Sequence, residues 1–243
     1  MVELSIHDGV ARITLSDPLT ANALGETMAA KLQAAFESAA RERDVRVVVL
    51  AGEGEVFSCG ASRELLLQLV RGAARPADIL LPRVLLDCPV PVIAAMAGHA
   101  TGGGFALGLA ADIVLLAEES RYGLTFMNLG FTPGMGTTAL CEHVLSAGVA
   151  HELLYTGELR RGSAFAGSGV NHVLPRGQVE AKALDIAARI ALKPRLAVEA
   201  LKRTLSLPRR QAFEAALTVE SLMHQITFAA PEVVRRIEDD YVE

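Results

Sequence analysis

The sequence predicts an α/β protein in which strand and helix units come first and a helical C-terminal part follows. Two observations predict this. Short continuous apolar runs recur through the first half and alternate with segments of helical spacing. From Gly134 onward the spacing is almost wholly helical, broken only at "GVNHVLP". Strand units followed by helices fit a core with a helical extension. With 243 residues, 51% of them hydrophobic, the chain can bury one substantial core.

The elements follow in order. "VELSIHDGVARITLS" reads as a hairpin turning at Asp8-Gly9, a dipeptide that accepts positive φ. "ALGETMAAKLQAAFESAARER" has helical spacing and a charged end, and "VRVVVLAG" is a buried strand by its unbroken apolar run. "SRELLLQLVRG" predicts a short helix, and "AARPAD" a loop. "PVIAAMAG" and "DIVLLAEE" are two further buried strands. The proline of "SLPRRQAF" predicts a helix boundary late in the chain. The expected division is a core over residues 1–190 and a helical region over residues 191–243.

Composition narrows the function. The net charge of -5, the absence of tryptophan and the lack of a dense basic run argue against nucleic acid as a partner. Cys59, Cys88 and Cys141 show no CxxC spacing, which argues for reduced thiols and against a metal site. The N-terminus alternates like a strand, and no apolar run reaches bilayer-spanning length. The expectation is a cytoplasmic protein that does not bind membranes.

Two turns stand out. "GHATGGGFALGLAAD" places Gly102, Gly103 and Gly104 between a strand and a helix. It lacks the lysine of a phosphate loop, so the remaining chemical use of such a turn is to aim N–H groups at a developing oxyanion. "VFSCGASRELL" places Gly60-Ala61 at a similar junction. Two such turns could give two donors to one carbonyl oxygen; tight packing alone would also explain the glycines.

The segments "FSCGAS", "PVIAAMAGHATGGGFALGLAADIVLLAEES" and "YGLTFMNLGFTPGMGTTAL" together resemble the crotonase superfamily, the enoyl-CoA hydratase and isomerase proteins. The resemblance implies a crotonase-like spiral of ββα units with a helical C-terminal trimerisation region. It implies an oxyanion hole from the N–H groups of Ala61 and Gly103, beside Gly60 and Gly102, and a homotrimer. The family's two water-handling glutamates match Ala106 and Phe126, neither of which can move a proton, so hydration by that route is excluded. Glu118 and Glu119 read as a solvated strand end, and Tyr122 as a wall.

"YGLTFMNLGFTPGMG" and "ESLMHQITF" are most similar to a narrower branch, the decarboxylases of polyketide β-branching. That likeness implies conversion of a methylglutaconyl thioester on an acyl carrier protein to a methylcrotonyl thioester. No cofactor is implied, the acyl group being carried on the phosphopantetheine of an acyl carrier protein or on coenzyme A. His224 matches the branch's functional histidine; a histidine on an amphipathic helix can equally be a packing residue. The branch's lysine is replaced near Leu69, which leaves Arg71 and His99 as candidate substrate-binding groups. Leu65, Leu69 and Phe126 suit a small branched acyl chain. The carrier protein is expected to dock on basic surface near Arg71 and Arg75. The alternatives are an isomerase or dehydratase of the same fold, or a non-catalytic acyl-thioester binder.

Overall fold

The computed structural model describes residues 1–74, 81–239 and 241. Strands β1 (Val2–His7) and β2 (Val10–Leu15) form the expected antiparallel hairpin. Asp8 and Gly9 both take positive φ at its turn, 50° and 80°. Helix α1 (Glu26–Arg41) buries Met28, Leu32, Ala35, Phe36 and Ala39 along one stripe, the helical period read from the sequence.

The core then repeats one unit. Strand β3 (Val47–Gly52) is followed by β4 (Val56–Ser58) and helices α2 (Arg63–Val70) and α3 (Leu81–Asp87). Strand β5 (Val92–Met96) is followed by β6 (His99–Thr101) and α4 (Gly103–Leu109). Strand β7 (Ile113–Ala117) is followed by β8 (Arg121–Gly123). After helices α5 (Thr137–Val144) and α6 (Ala147–Thr156), the short strands β9 (Arg160–Arg161) and β10 (His172–Leu174) complete two sheets.

The first strand of each unit joins a six-stranded sheet, β1-β2-β3-β5-β7-β10, and the second joins a four-stranded sheet, β4-β6-β8-β9. Chain climbing in this way is a spiral of ββα units. The register within each sheet is parallel along the spiral, with β3 on β5, β5 on β7, β4 on β6 and β6 on β8. The central strands β3, β5 and β7 are apolar throughout because both faces are covered, by the central core on one side and by α7 (Arg176–Ala191) on the other.

The late helix boundary is corrected. Pro208 lies inside α8 (Arg195–Thr227), which runs unbroken for 33 residues. An interior proline removes a helical hydrogen bond, and tertiary contacts on both sides of it override that cost. Lys202 Nζ lies 2.6 Å from Asp112 and donates to the Leu85 carbonyl at 3.2 Å. Arg209 pairs with the other Asp112 oxygen at 2.6 Å and donates to the Ala111 carbonyl at 2.7 Å. Asp112 also accepts from the Val92 N–H at 2.8 Å, so one carboxylate ties α8 to the start of β5. Helix α9 (Pro231–Asp239) is the last described element and buries Val233 and Ile237. Most of "AARPAD", including Arg75, lies outside the described residues. Among the described residues no helix is long and apolar enough to cross a membrane, and no cluster of metal-ligating side chains occurs.

Replacing Asp112 by Ala leaves two cations without their counter-charge, one of them on a side chain only 3% exposed. Removing one partner of a buried pair typically costs about 3–5 kcal/mol. Asp112→Ala is expected to lose stability on that scale in chemical denaturation. A change under about 1 kcal/mol would show that water reaches the network.

Candidate active site

The two turns singled out by their glycines follow neighbouring parallel strands. Strands β4 and β6 pair through Val56 with His99 and Ser58 with Ala100, so their C-terminal ends lie side by side. The chain leaves β4 through Gly60 and Ala61 into α2, and leaves β6 through Gly102 and Gly103 into α4. Thr101 Oγ1 donates to the Cys59 carbonyl at 2.9 Å and ties one turn to the other. A side chain at Gly60 would meet the Gly103 nitrogen at 3.0 Å, and one at Gly103 would lie 3.7 Å from the Ala61 nitrogen. The Ala61 and Gly103 N–H groups make no hydrogen bond among the described residues.

Local chemistry explains the turns. Gly60 has φ of 90° and Gly102 has φ of 50°, conformations that L side chains rarely adopt. Gly104 is the tightest point, since a Cβ there would overlap the Ser58 carbonyl. Ser58, wholly buried, donates from Oγ to the Asn22 carbonyl at 2.8 Å and accepts from the Gly60 N–H at 3.2 Å. Asn22 in turn accepts from the Asp17 N–H at 2.7 Å and donates to the Val56 carbonyl at 2.8 Å. Ser62 caps α2 by accepting from the Leu65 N–H at 3.2 Å.

Both turns open on one small cavity of about 80 Å³. Ala61, Gly102 and Gly103 line it with Leu65, Leu69 and Phe126, so these six expected site residues come together. His224, from the far end of α8, lines the same cavity. Among the described lining residues there is no Asp, Glu, Lys or Arg. Ala106 is fully buried and Phe126 nearly so, and among the described residues neither position gives the cavity a water-activating carboxylate. Larger depressions elsewhere have more polar walls. The nearest, about 310 Å³, shares Leu65 with the cavity and runs past Thr20, Gly25, Thr27, Ser62 and Gln68.

His224 sits in an aromatic box. Its ring stacks on Phe228 at 4.7 Å and meets Phe131 edge-on at 6.2 Å. Nε2 donates to the Thr132 carbonyl at 2.8 Å, which leaves Nδ1 buried without a partner among the described residues. Burial holds the imidazole below its ordinary value, partly offset by the Thr132 carbonyl and the Glu220 charge. The resting ring is therefore neutral at pH 7, with the Nδ1 lone pair the group left to act.

Glu220, one turn before His224, was not anticipated from sequence. Its buried carboxylate accepts from the N–H groups of Gly136 and Thr138 at 2.7 and 3.0 Å and from the Thr138 hydroxyl at 2.7 Å. These bonds fix the turn in which Met135 takes a left-handed φ of 63° and lines the cavity. Met135 Sδ would lie 3.0 Å from a Cβ on Gly103, and a Cβ on Gly134 would overlap the His224 ring. One turn thus touches both the glycine turn and the histidine.

Three expectations are corrected. Arg71 does not line the cavity: it ends α2, and its guanidinium pairs with Glu238 of α9 at 3.0 Å. That pairing also offsets the positive charge expected there for docking a carrier protein. His99 does not line the cavity either; its Nδ1 accepts from the Arg121 N–H at 2.8 Å across β6 and β8, and burial and Arg176 hold its pKa down. Tyr122 is a core residue rather than a wall. It bridges the Met96 carbonyl and the Ala117 N–H, and burial raises its pKa to about 12. Glu119 accepts from the Arg176 N–H at 2.9 Å at the start of α7, a surface role.

The fold, the paired backbone turns and the cavity define an enoyl-CoA hydratase/isomerase protein, and the family's sequence profile matches residues 5–243; the chain belongs to this family. Within it, the chain is 37% identical to the bacillaene synthase decarboxylase PksI of Bacillus subtilis, over 99% of this chain and 98% of that one. It is 34% identical to the probable enoyl-CoA hydratase EchA14 of Mycobacterium tuberculosis, over 84% and 80% of the two chains. Among solved structures, it is similar to a member of a dehydratase/decarboxylase couple of polyketide β-branching, with TM-score 0.95, 38% identity and 99% and 96% coverage. It is equally similar in sequence, 38%, to the ECH2 decarboxylase domain of CurF from Lyngbya majuscula, with TM-score 0.92 and 99% coverage of both chains.

The two central glycines make different demands. A methyl on Gly103 meets the flexible end of Met135, whereas one on Gly104 meets Ser58 backbone. Gly103→Pro, which removes the N–H at the first helical position, is expected to lower turnover by at least ~10²–10³, the usual cost of losing an oxyanion donor. Gly104→Ala is expected to lower the melting temperature as well. Wild-type turnover in a folded Gly103→Pro protein would place the carbonyl oxygen elsewhere.

Proposed function

We propose that this protein is a decarboxylase acting on methylglutaconyl carried by the phosphopantetheine of an acyl carrier protein, giving the methylcrotonyl thioester in polyketide β-branching. The observation that carries the reading is a cavity with two backbone donors and one histidine but, among the described residues, no carboxylate, in a chain that is 37–38% identical to decarboxylases. Decarboxylation needs an electron sink, a dry place for the carboxylate and one proton. It needs neither a water-activating pair nor a cofactor of its own.

In this reading the thioester oxygen accepts from Ala61 and Gly103. The carboxylate enters the aromatic end of the cavity, where its charge raises the pKa of His224 and protonates Nδ1. The carbon–carboxylate bond then breaks, its electron pair passes through the double bond to the thioester oxygen, and carbon dioxide leaves. Proton transfer from Nδ1 to the carbon that bore the carboxylate completes the methyl group and restores the neutral ring. Leu65, Leu69 and Phe126 surround the branch. The polar groove past Ser62 and Gln68 gives the pantetheine arm its path.

We also propose a homotrimer. The outer side of α8 exposes Leu201, Leu205, Val219 and Ile226, an apolar stripe that a second subunit would cover. Light scattering at working concentration gives the trimer's mass or contradicts it.

Mass spectrometry of methylglutaconyl carrier protein incubated with the enzyme is expected to show loss of carbon dioxide and no added water; hydration as the main outcome would reject the reading. His224→Ala is expected to lose ~10²–10⁴ in turnover with thioester binding retained. For an imidazole that acts protonated, activity falls as pH rises through its pKa. The kcat/KM limb should therefore lie below about 6.5, the ordinary imidazole value. The kcat limb should lie at higher pH, because the bound carboxylate raises the same pKa. Coincident limbs, or limbs unchanged in His224→Gln, would remove the histidine from proton transfer.

A further inference from the structure

The Ala61 N–H can serve as a donor only while its peptide plane is held, and two groups from outside the turn hold the carbonyls on either side of it. Leu24 donates its N–H to the Gly60 carbonyl at 2.6 Å. That carbonyl shares a trans peptide plane with the Ala61 N–H, so fixing one aims the other in the opposite direction. The second carbonyl, of Ala61 itself, accepts the hydroxyl hydrogen of Tyr241. Tyr241 also lines the cavity that Ala61 and Gly103 share.

The approach of Tyr241 is built into the fold. Helix α9, two residues before it, is fastened along α2, the helix that the Ala61 turn begins. Arg63 donates from Nε to the Ile237 carbonyl at 3.2 Å and from Nη2 to the Glu238 carbonyl at 2.5 Å. Arg71 holds the Glu238 carboxylate. Val233 and Ile237 are wholly buried beneath the same helix. Tyr241 is thereby carried to the Ala61 turn, 180 residues away in sequence.

We infer that Tyr241 is a positioning residue for the oxyanion hole, its hydroxyl restraining the Ala61 peptide while its ring closes the acyl cavity. The inference rests on reading Ala61 as an oxyanion donor. It assigns the two arginines of α2 to fastening α9 and its tail rather than to the substrate carboxylate. Hydroxyl and ring make separable contributions: the first acts on bond polarisation in the bound thioester, the second on affinity for it.

The test uses the full chain with Tyr241→Phe and Tyr241→Ala. The carbonyl stretch of bound methylcrotonyl-pantetheine, isotope-labelled at the thioester carbon, is followed by infrared difference spectroscopy beside kcat and KM for decarboxylation. Tyr241→Phe should bind the thioester as wild type does, move the stretch back toward its value in water, and lower kcat about three- to ten-fold, the worth of one neutral hydrogen bond. Tyr241→Ala should in addition raise KM, because the ring is lost. A Phe variant with the wild-type stretch overturns the inference, whether or not kcat falls, since the hydroxyl then does not act through Ala61. If the wild-type protein binds the thioester with a shifted stretch that Tyr241→Phe reverses, yet releases no carbon dioxide, the inference stands and the decarboxylase reading falls.

Discussion

Two N–H groups can share one oxygen only if their peptide planes are held within a hydrogen bond's reach of a common point, and the parallel pairing of β4 with β6 supplies that constraint. Because the strands run the same way and end together, the turns that follow them emerge side by side. Small residues then let the two backbones approach: Gly104 lies against Ser58, and Gly60 against Thr101 and Gly103. In the proposed function the backbone performs the chemistry at this point. The oxyanion donors require no ionisable group and cost no reorganisation when charge develops.

Everything else at the site is brought to that pair from a distance. Asp112, at the start of the third spiral unit, clamps α8 through Lys202 and Arg209 on both sides of Pro208. The distal part of that helix delivers Glu220 and His224 to the cavity. Glu220 holds the Met135 turn, and His224 stands in an aromatic box whose burial lowers its pKa. A desolvated imidazole of this kind responds to a carboxylate more strongly than one in water, because the surroundings screen the interaction less.

The fold was legible where a local pattern carried it. The Asp8-Gly9 turn, the stripe of α1 and the long buried strands follow from turn chemistry and periodicity. Strands β6 and β8, three residues each, are too short to show a period and are set by pairing with neighbours. Pro208 was misleading because the cost of an interior proline is local, whereas the ion pairs that override it join residues about ninety positions apart. At the site, the glycines announced the two turns that meet at the cavity, and the missing glutamates at Ala106 and Phe126 were plain. Asn22, Glu220 and Tyr241 were not, since each acts by bonding backbone far away in sequence. A polar residue in an otherwise apolar stretch was the signal for Asn22. Arg71 looked like a substrate cation only while its partner Glu238, in the C-terminal helix, was out of view.

The central claim is that a backbone-held dienolate forms on loss of carbon dioxide and is protonated at the carbon that carried the carboxylate. Turnover of methylglutaconyl-pantetheine in deuterium oxide, followed by proton and carbon NMR, tests it most directly. The account predicts methylcrotonyl product with one deuterium in a single methyl group and none at the carbon next to the thioester. Deuterium next to the thioester in a shifted-alkene product, or a hydroxylated product, would contradict it.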